Sequence, residues 1–218
     1  MAIRLGERAL TPPAAETAPG HDGRYRRPPK PGVNLVKLSV RPPDRASLSQ
    51  MAASVADAAP DPIPPRAGTV EVRRVVGEGP TALAAGADTL RDWAMHERAG
   101  VRTDGSPLEA GQTVGIAART FGVWMRFACR VTDVENGPNR IGFTYATLPG
   151  HPERGRETFL LELRGDGRVE LTISARSSAG WWVTRLAGPV ARILQRRFTE
   201  RYAAAMAVEV AQRTSAIS

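Results

Sequence analysis

The segment with the most chemistry in it is Leu148-Pro149-Gly150-His151-Pro152-Glu153-Arg154-Gly155. Prolines and glycines fix the backbone of such a loop at chosen points, so it can hold a side chain over a sheet edge. His151 titrates near neutrality and is a candidate general base, oriented by Glu153 or Glu157. The plainer reading is a turn whose histidine ties the loop to the next strand. No nucleophile or metal-ligand set accompanies it in sequence, so no catalytic residue is assigned.

Further candidates come from spacing. Trp93 and His96 are three residues apart and share a helical face, either as core and core margin or as an aromatic wall with a polar tip. Phe143, Tyr145 and Thr147 alternate onto one face of a strand, and Ser174 and Arg176 share one face of another. If Tyr145, Ser174 and Arg176 face inward, the interior is amphipathic; if outward, they are solvent residues. With about 100° per residue, Val190, Ile193, Leu194, Ala205 and Val208 form an apolar stripe on the last helix, counted from Leu186. Arg197 and Arg201 fall inside that stripe. A buried guanidinium must be paired or reach water. Either these arginines snorkel past the sheet edge, or they point into a polar cavity beside Glu157, Glu162 or an anionic ligand.

Metals and nucleotide cofactors have little support. The histidines are His21, His96 and His151, the only cysteine is Cys129, and neither spacing nor number suggests a metal site. Gly77-Glu78-Gly79-Pro80 lacks the remaining residues of a phosphate cradle. The net charge of +8 and pI near 10.8 invite a nucleic-acid or membrane reading. The arginines are scattered, however, and the one compact basic run is Arg24, Arg26, Arg27 and Lys30 in a Pro-rich tail. Through that tail, nucleic acid or an anionic membrane is a secondary partner. No run approaches the roughly 20 apolar residues of a bilayer span, and the N-terminus lacks the apolar core of a secretion signal. A cytoplasmic address is expected.

These residues need positioning elements. Residues 1–70 read as a Pro/Ala-rich extension, partly flexible, with a short strand within Val33–Val40 and a helix capped by Asp44 or Ser47 and running through Ala58. The domain proper is expected over 71–213. Glu71–Val76 is a short strand, and Thr81 caps a helix to about Ala99, with Gly100 as its stop. Strands follow at Gln112–Arg119, Trp124–Val134, Arg140–Thr147, Glu157–Arg164 and Arg168–Arg176. The last two are joined by the hairpin signal Gly165-Asp166-Gly167. After a corner at Gly180-Trp181-Trp182, Pro189 opens a helix from Val190 to about Val210. This order gives an α+β fold, a curved antiparallel sheet covered by the long last helix.

The run Gly142-Phe143-Thr144-Tyr145-Ala146-Thr147-Leu148-Pro149-Gly150-His151-Pro152-Glu153 resembles the hallmark of the domain-of-unknown-function family numbered nineteen-ninety. Trp93-Ala94-Met95-His96, Gly155-Arg156-Glu157-Thr158-Phe159 and the Gly188-Pro189 helix opening with Gln195-Arg196-Arg197 add to the likeness, which covers about 71–206. The resemblance implies the START-type helix-grip fold of the birch-pollen-allergen group, whose members often hold hydrophobic ligands between sheet and helix. The chain departs from the family pattern at Arg156, where an acid is usual. It departs again at Ser177-Ser178-Ala179-Gly180, where Ser-Arg-Pro-Ala is usual, leaving Arg176 as the nearest substitute arginine. The function expected is binding of a small hydrophobic or amphipathic ligand beneath the last helix. Its polar contacts come from Trp93, His96, Tyr145, Thr147, His151, Glu157, Ser174, Arg176, Arg197 and Arg201, with no cofactor. The alternatives are a hydrolase or lyase-type enzyme using His151 with a nearby Glu, and a basic-tail interaction protein.

Overall fold

Short turns decide the sheet. Gly165-Asp166-Gly167 closes a hairpin between β7 (Glu153–Leu163) and β8 (Arg168–Ala179), with Gly167 at φ 83° and its amide donating to the Arg164 carbonyl. Before it come β4 (Thr113–Thr120), β5 (Val123–Asn136) and β6 (Arg140–Thr147), each antiparallel to its neighbour. β2 (Gly68–Glu78) closes against β8, and β3 (Val101–Thr103), a strand absent from the sequence reading, adds to β4. The order is β2-β8-β7-β6-β5-β4-β3, and β1 (Lys37–Ser39) pairs with the start of β5, where β6 has ended. This computed structural model describes residues 37–120, 122–179 and 188–217, with side chains of the last helix from Arg196 to Ala216. They belong to one compact unit, Val33–Ser218. The basic run Arg24–Lys30 and the Gly180-Trp181-Trp182 corner lie outside the described residues.

Register fixes which face is buried. Val169, Leu171, Ile173 and Ala175 of β8 are buried and align with Leu163, Leu161, Phe159 and Glu157 of β7, the last three of which align in turn with Ile141, Phe143 and Tyr145 of β6. In β5 a bulge at Thr132 places both Val131 and Val134 opposite inward-facing partners, Tyr145 and Phe143. The extra residue increases the local twist and helps the sheet curl.

Three helices cover the inner face. α2 (Gly79–Arg91) starts two residues before the expected cap and has Pro80 in its first turn. Asp92 caps its end, and Trp93, the one described non-glycine residue with positive φ, 61°, turns the chain into α3 (Ala94–Arg98). A left-handed tryptophan costs on the order of 1 kcal/mol or more. Burial of the indole and the 2.8 Å hydrogen bond from its Nε1 to the Ser106 carbonyl offset that cost. The long helix α4 (Gly188–Ile217) contributes Tyr202, Ala203, Ala205, Met206 and Val210 to the same core.

The outer face carries its own layer. Asp44 caps α1 (Arg45–Ser54), accepting a 2.8 Å bond from the Ser47 amide, and Met51 and Val55 pack with Ala128 and Leu148. The close approach depends on Gly115: a Cβ there would lie 2.2 Å from the Leu48 carbonyl oxygen.

Candidate functional site

Alternation along β7 puts Glu153 and Glu157 on the same face as Phe159 and Leu161. The apolar inner face therefore turns polar toward one end. Tyr145, the register partner of Glu157, donates a 2.6 Å hydrogen bond to its Oε2, and the Ser177 hydroxyl donates a 2.7 Å bond to Glu153 Oε2. Thr147 Oγ1 accepts from the Gly155 amide at 3.1 Å and donates to Asp61 at 3.4 Å. Cys129, the register partner of Thr147, is fully buried beside them.

Burial penalises the charged form of each acid here. It pushes the Glu157 carboxyl up to about 7; the Tyr145 hydrogen bond opposes the rise, and the nearby charge of Glu153 adds to it. Burial also raises Glu153, opposed by Ser177, and raises Asp61, opposed by Arg154 and Thr147. The phenols of Tyr145 and Tyr202 and the thiol of Cys129 are pushed well up, by burial first and by Glu157 next. At neutral pH the cluster therefore combines neutral phenol and thiol donors with the Glu157 carboxyl, which exchanges its proton there.

His151 does not serve these carboxylates. Its Nδ1 accepts the Glu153 amide at 3.0 Å, and its ring packs edge-on to Phe127 with centroids 4.3 Å apart. Burial lowers its pKa to about 4, so the ring is neutral and holds the loop to β7. That is the plainer of the two readings of this histidine. Trp93 and His96 are both fully buried, with ring centroids 5.0 Å apart. His96 stands among Phe143, Phe159, Tyr145 and Tyr202, and among the described residues neither of its ring nitrogens has a hydrogen-bond partner.

Four expected interior residues are elsewhere. Ser174 and Arg176 alternate with the buried Ile173 and Ala175, so they lie on the outer face, where Arg176 is directly opposite Arg156. Arg197 is exposed. Arg201 donates to the Ala99 carbonyl at the end of α3 and has its guanidinium carbon 5.3 Å from the Phe198 ring centre. The buried face of α4 is Thr199, Tyr202, Ala203, Ala205, Met206 and Val210; of the expected stripe, Ala205 is buried with it and Val208 is 44% exposed. The expected stripe was anchored on Leu186, Val190, Ile193 and Leu194, whose side chains lie outside the described residues. Over the alanine-rich half, burial follows close approach rather than side-chain hydropathy. The site thus gathers Tyr145, Thr147 and Glu157 from the expected set and adds Glu153, Ser177, Cys129 and Tyr202. The parity of Glu153 with Glu157 and Phe159 was the available signal.

Among the described residues, no group of three or more His, Cys, Asp or Glu side chains is arranged to hold a metal. No described helix is long and apolar enough to cross a membrane.

Known proteins share this scaffold. The Zhui aromatase/cyclase from a Streptomyces species superposes with a TM-score of 0.50 at 16% identity, covering 68% of this chain and 96% of that one. The shared architecture is the helix-grip fold, a curled antiparallel sheet with a C-terminal helix. In sequence, a protein of Deinococcus radiodurans named UPF0548 protein is 35% identical over 153 residues, 63% of this chain and 75% of the relative. A UPF0548 protein of Dictyostelium discoideum is 31% identical over 105 residues, 43% of this chain, which spans about half of that relative (49%). The family profile described as Domain of unknown function (DUF1990) matches residues 50–205, a span that holds Tyr145, Glu153, Glu157 and Ser177, and the chain belongs to that family.

Proposed function

We propose that the protein binds a small hydrophobic or amphipathic molecule between the sheet and α4, with the ligand's polar end at Tyr145 and Glu157. The observation that carries this reading is Glu157, a carboxyl on the apolar inner face whose pKa is raised to about 7. Glu157 is half-buried, an acid drawn partly out of water costs stability unless something else selects for it, and binding sites are mostly apolar with a few placed polar groups. The helix-grip architecture supports the reading at the level of fold. Protonated Glu157 donates to a carbonyl or hydroxyl oxygen of the ligand, and Tyr145 fixes the orientation of the carboxyl.

A second reading draws on the same residue. A carboxyl that titrates near neutrality is suited to proton transfer, so an enzyme on this scaffold would use Glu157, not the neutral, loop-bound His151, as its acid or base.

The test is native mass spectrometry of the full chain as purified, followed by titration with fatty acids, fatty alcohols and planar aromatic ketones at several pH values. Binding is expected to weaken as pH rises through about 7, the value at which Glu157 ionises, and Glu157→Gln is expected to remove that dependence. Absence of any co-purified molecule together with no binding across the panel would overturn the proposal.

A further inference from the structure

A second site is suggested at the opposite end of the sheet, where β1, β5, β4 and β3 lie side by side. The register puts Lys37 opposite Arg126, Arg126 opposite Ala117, and Ala117 opposite Arg102. Residues directly opposite share a face, so Lys37, Arg126 and Arg102 form one basic row on the outer surface. In the next row Ser39, Trp124 and Arg119 are partners, so Trp124 is embedded among cations. Like charges along a row repel, and Asp44, whose charge lies near Arg126, offsets part of that repulsion.

A cleft of about 470 Å³ opens beside this row, lined by Pro43, Arg45, Leu48, Glu97, Arg102 and Trp124 among others. Arg102 has no carboxylate partner among the described residues; it donates to the Pro43 carbonyl at 3.3 Å and has its guanidinium carbon 5.5 Å from the Trp124 ring centre. Arg73, Arg140, Arg164 and Arg168, by contrast, each pair with a carboxylate. The nearby acids are Asp44, which is occupied in capping α1, and Glu97, which holds Arg45 at 3.0 Å in an exposed pair. Exposed pairs of this kind are weak, so Arg45 is available to a stronger anion.

Register sets which side chains of β3 reach this side: Thr103 is paired with Ile116 and turns to the inner core, so Arg102 is the β3 side chain on the face of the basic row. Among the described residues, Nε of Arg126 has no hydrogen-bond partner. The negative end of α3 borders the cleft, but Arg201 already occupies the Ala99 carbonyl there.

We propose that this cleft binds a small organic phosphate, with the phosphate held between Arg45 and Arg102 and a planar body resting against Trp124 and Pro43. Guanidinium forks match phosphate oxygens bidentately, and a site with an aromatic wall selects for an attached ring over a free ion. The cleft is within the usual size range for a small-molecule site. The inference is independent of the interior site.

The test is isothermal titration of the full chain with AMP and 1-naphthyl phosphate, with adenosine and inorganic phosphate as partial probes. Both phosphate esters are expected to bind and to shift the Trp124 indole resonance, with adenosine and inorganic phosphate each at least about tenfold weaker. Arg102→Gln and Arg45→Gln are each expected to weaken binding about tenfold, the worth of one charge-assisted contact. Glu97→Gln is expected to tighten it by releasing Arg45. If Arg102→Gln unfolds, Arg102→Lys keeps the charge and removes the fork, and is expected to weaken binding severalfold. No binding of either ester at ~2 mM overturns the proposal. So does binding that the Arg45 and Arg102 variants leave unchanged, which would move the anion to the Arg24–Lys30 run or the Arg156–Arg176 pair.

Discussion

Tyr145 and Glu157 are opposite one another on β6 and β7, and the phenol donates a 2.6 Å hydrogen bond to the carboxylate on the face that otherwise holds Phe143 and Phe159. This pair joins the two properties that any function here must use. It fixes a carboxyl in direction, and it leaves that carboxyl able to change charge near neutral pH.

Glu157 makes the protein less stable as pH rises. Its folded pKa, about 7, lies above the ordinary value of 4.5, so between those values the native state holds more protons than the unfolded chain. Stability therefore falls from about pH 4.5 to 7 through this group. Glu157→Gln keeps an acceptor for Tyr145 and cannot ionise. Denaturant unfolding is expected to show the variant more stable than wild type at pH 8, with the gap closing by pH 5. Tyr145→Phe removes the bond that lowers the Glu157 pKa, so it should move the carboxyl titration above 7 by NMR. A Glu157→Gln variant with an unchanged pH profile would show that the carboxyl titrates normally.

His96 acts with the opposite sign. Burial lowers its pKa from 6.5 to about 3, so the unfolded chain binds the extra proton in that window and stability is lost as pH falls. His96→Phe matches the aromatic surroundings and removes two orphaned nitrogens, each costing about 1–3 kcal/mol when buried. A larger ring also adds some overpacking, so the informative readout is a slope. Between pH 6 and 4 the variant should lose stability less steeply than wild type by about 1.4 kcal/mol per pH unit. Equal slopes would mean that His96 is protonated in the folded state.

Much of this was legible in the strands and little of it in the helices. Two-residue alternation is strict, so Phe143, Tyr145 and Thr147, and Glu157 with Phe159, could be placed on common faces from sequence. The hairpin at Gly165-Asp166-Gly167 then fixed the register of Ala175 against Glu157. Which face of β8 is inner follows from packing: Ile173 and Ala175 are buried, and Ser174 and Arg176 are displaced outward with them. The left-handed turn at Trp93 had no sequence signal, because glycine or asparagine usually takes that conformation. In α4, a run of alanines gives little hydropathic contrast, so the expected phase rests on residues two turns away; it places Ala205 inside as found and Val208 wrongly. Arg201 followed that error. Its actual partner, the Ala99 carbonyl, exists only because α3 ends against α4.

Arg201 should therefore matter for stability more than its exposure suggests. It caps the C-terminal end of α3 and covers Phe198. Charge at a helix C-terminus and a cation over an aromatic ring are each worth about 0.5–1 kcal/mol at exposed sites. Arg201→Ala is expected to cost about 1 kcal/mol and to speed amide exchange at the α3–β3 junction around Gly100. Arg197→Ala, on the same exposed side of α4, serves as the control and should be near neutral. An Arg201→Ala variant with unchanged exchange at the junction would remove the capping role.

The last prediction concerns how the outer layer is attached. Gly115 sits in β4 under α1, and a methyl group there would fall 2.2 Å from the Leu48 carbonyl oxygen, well inside contact distance. That oxygen is backbone, so no side-chain rotation relieves the clash; α1 must lift. Lifting it exposes Leu48 and Met51, both buried in wild type. Loss of two such side chains from the packing costs about 3–6 kcal/mol if the helix detaches fully and less if it tilts. Gly115→Ala is expected to destabilise the protein by at least about 2 kcal/mol and to raise amide exchange through Arg45–Ser54. The inner core around Phe159 should keep its protection, since β4 faces it with Val114 and Ile116 instead. Uniform loss of protection across both layers would show that α1 and the inner core unfold as one unit.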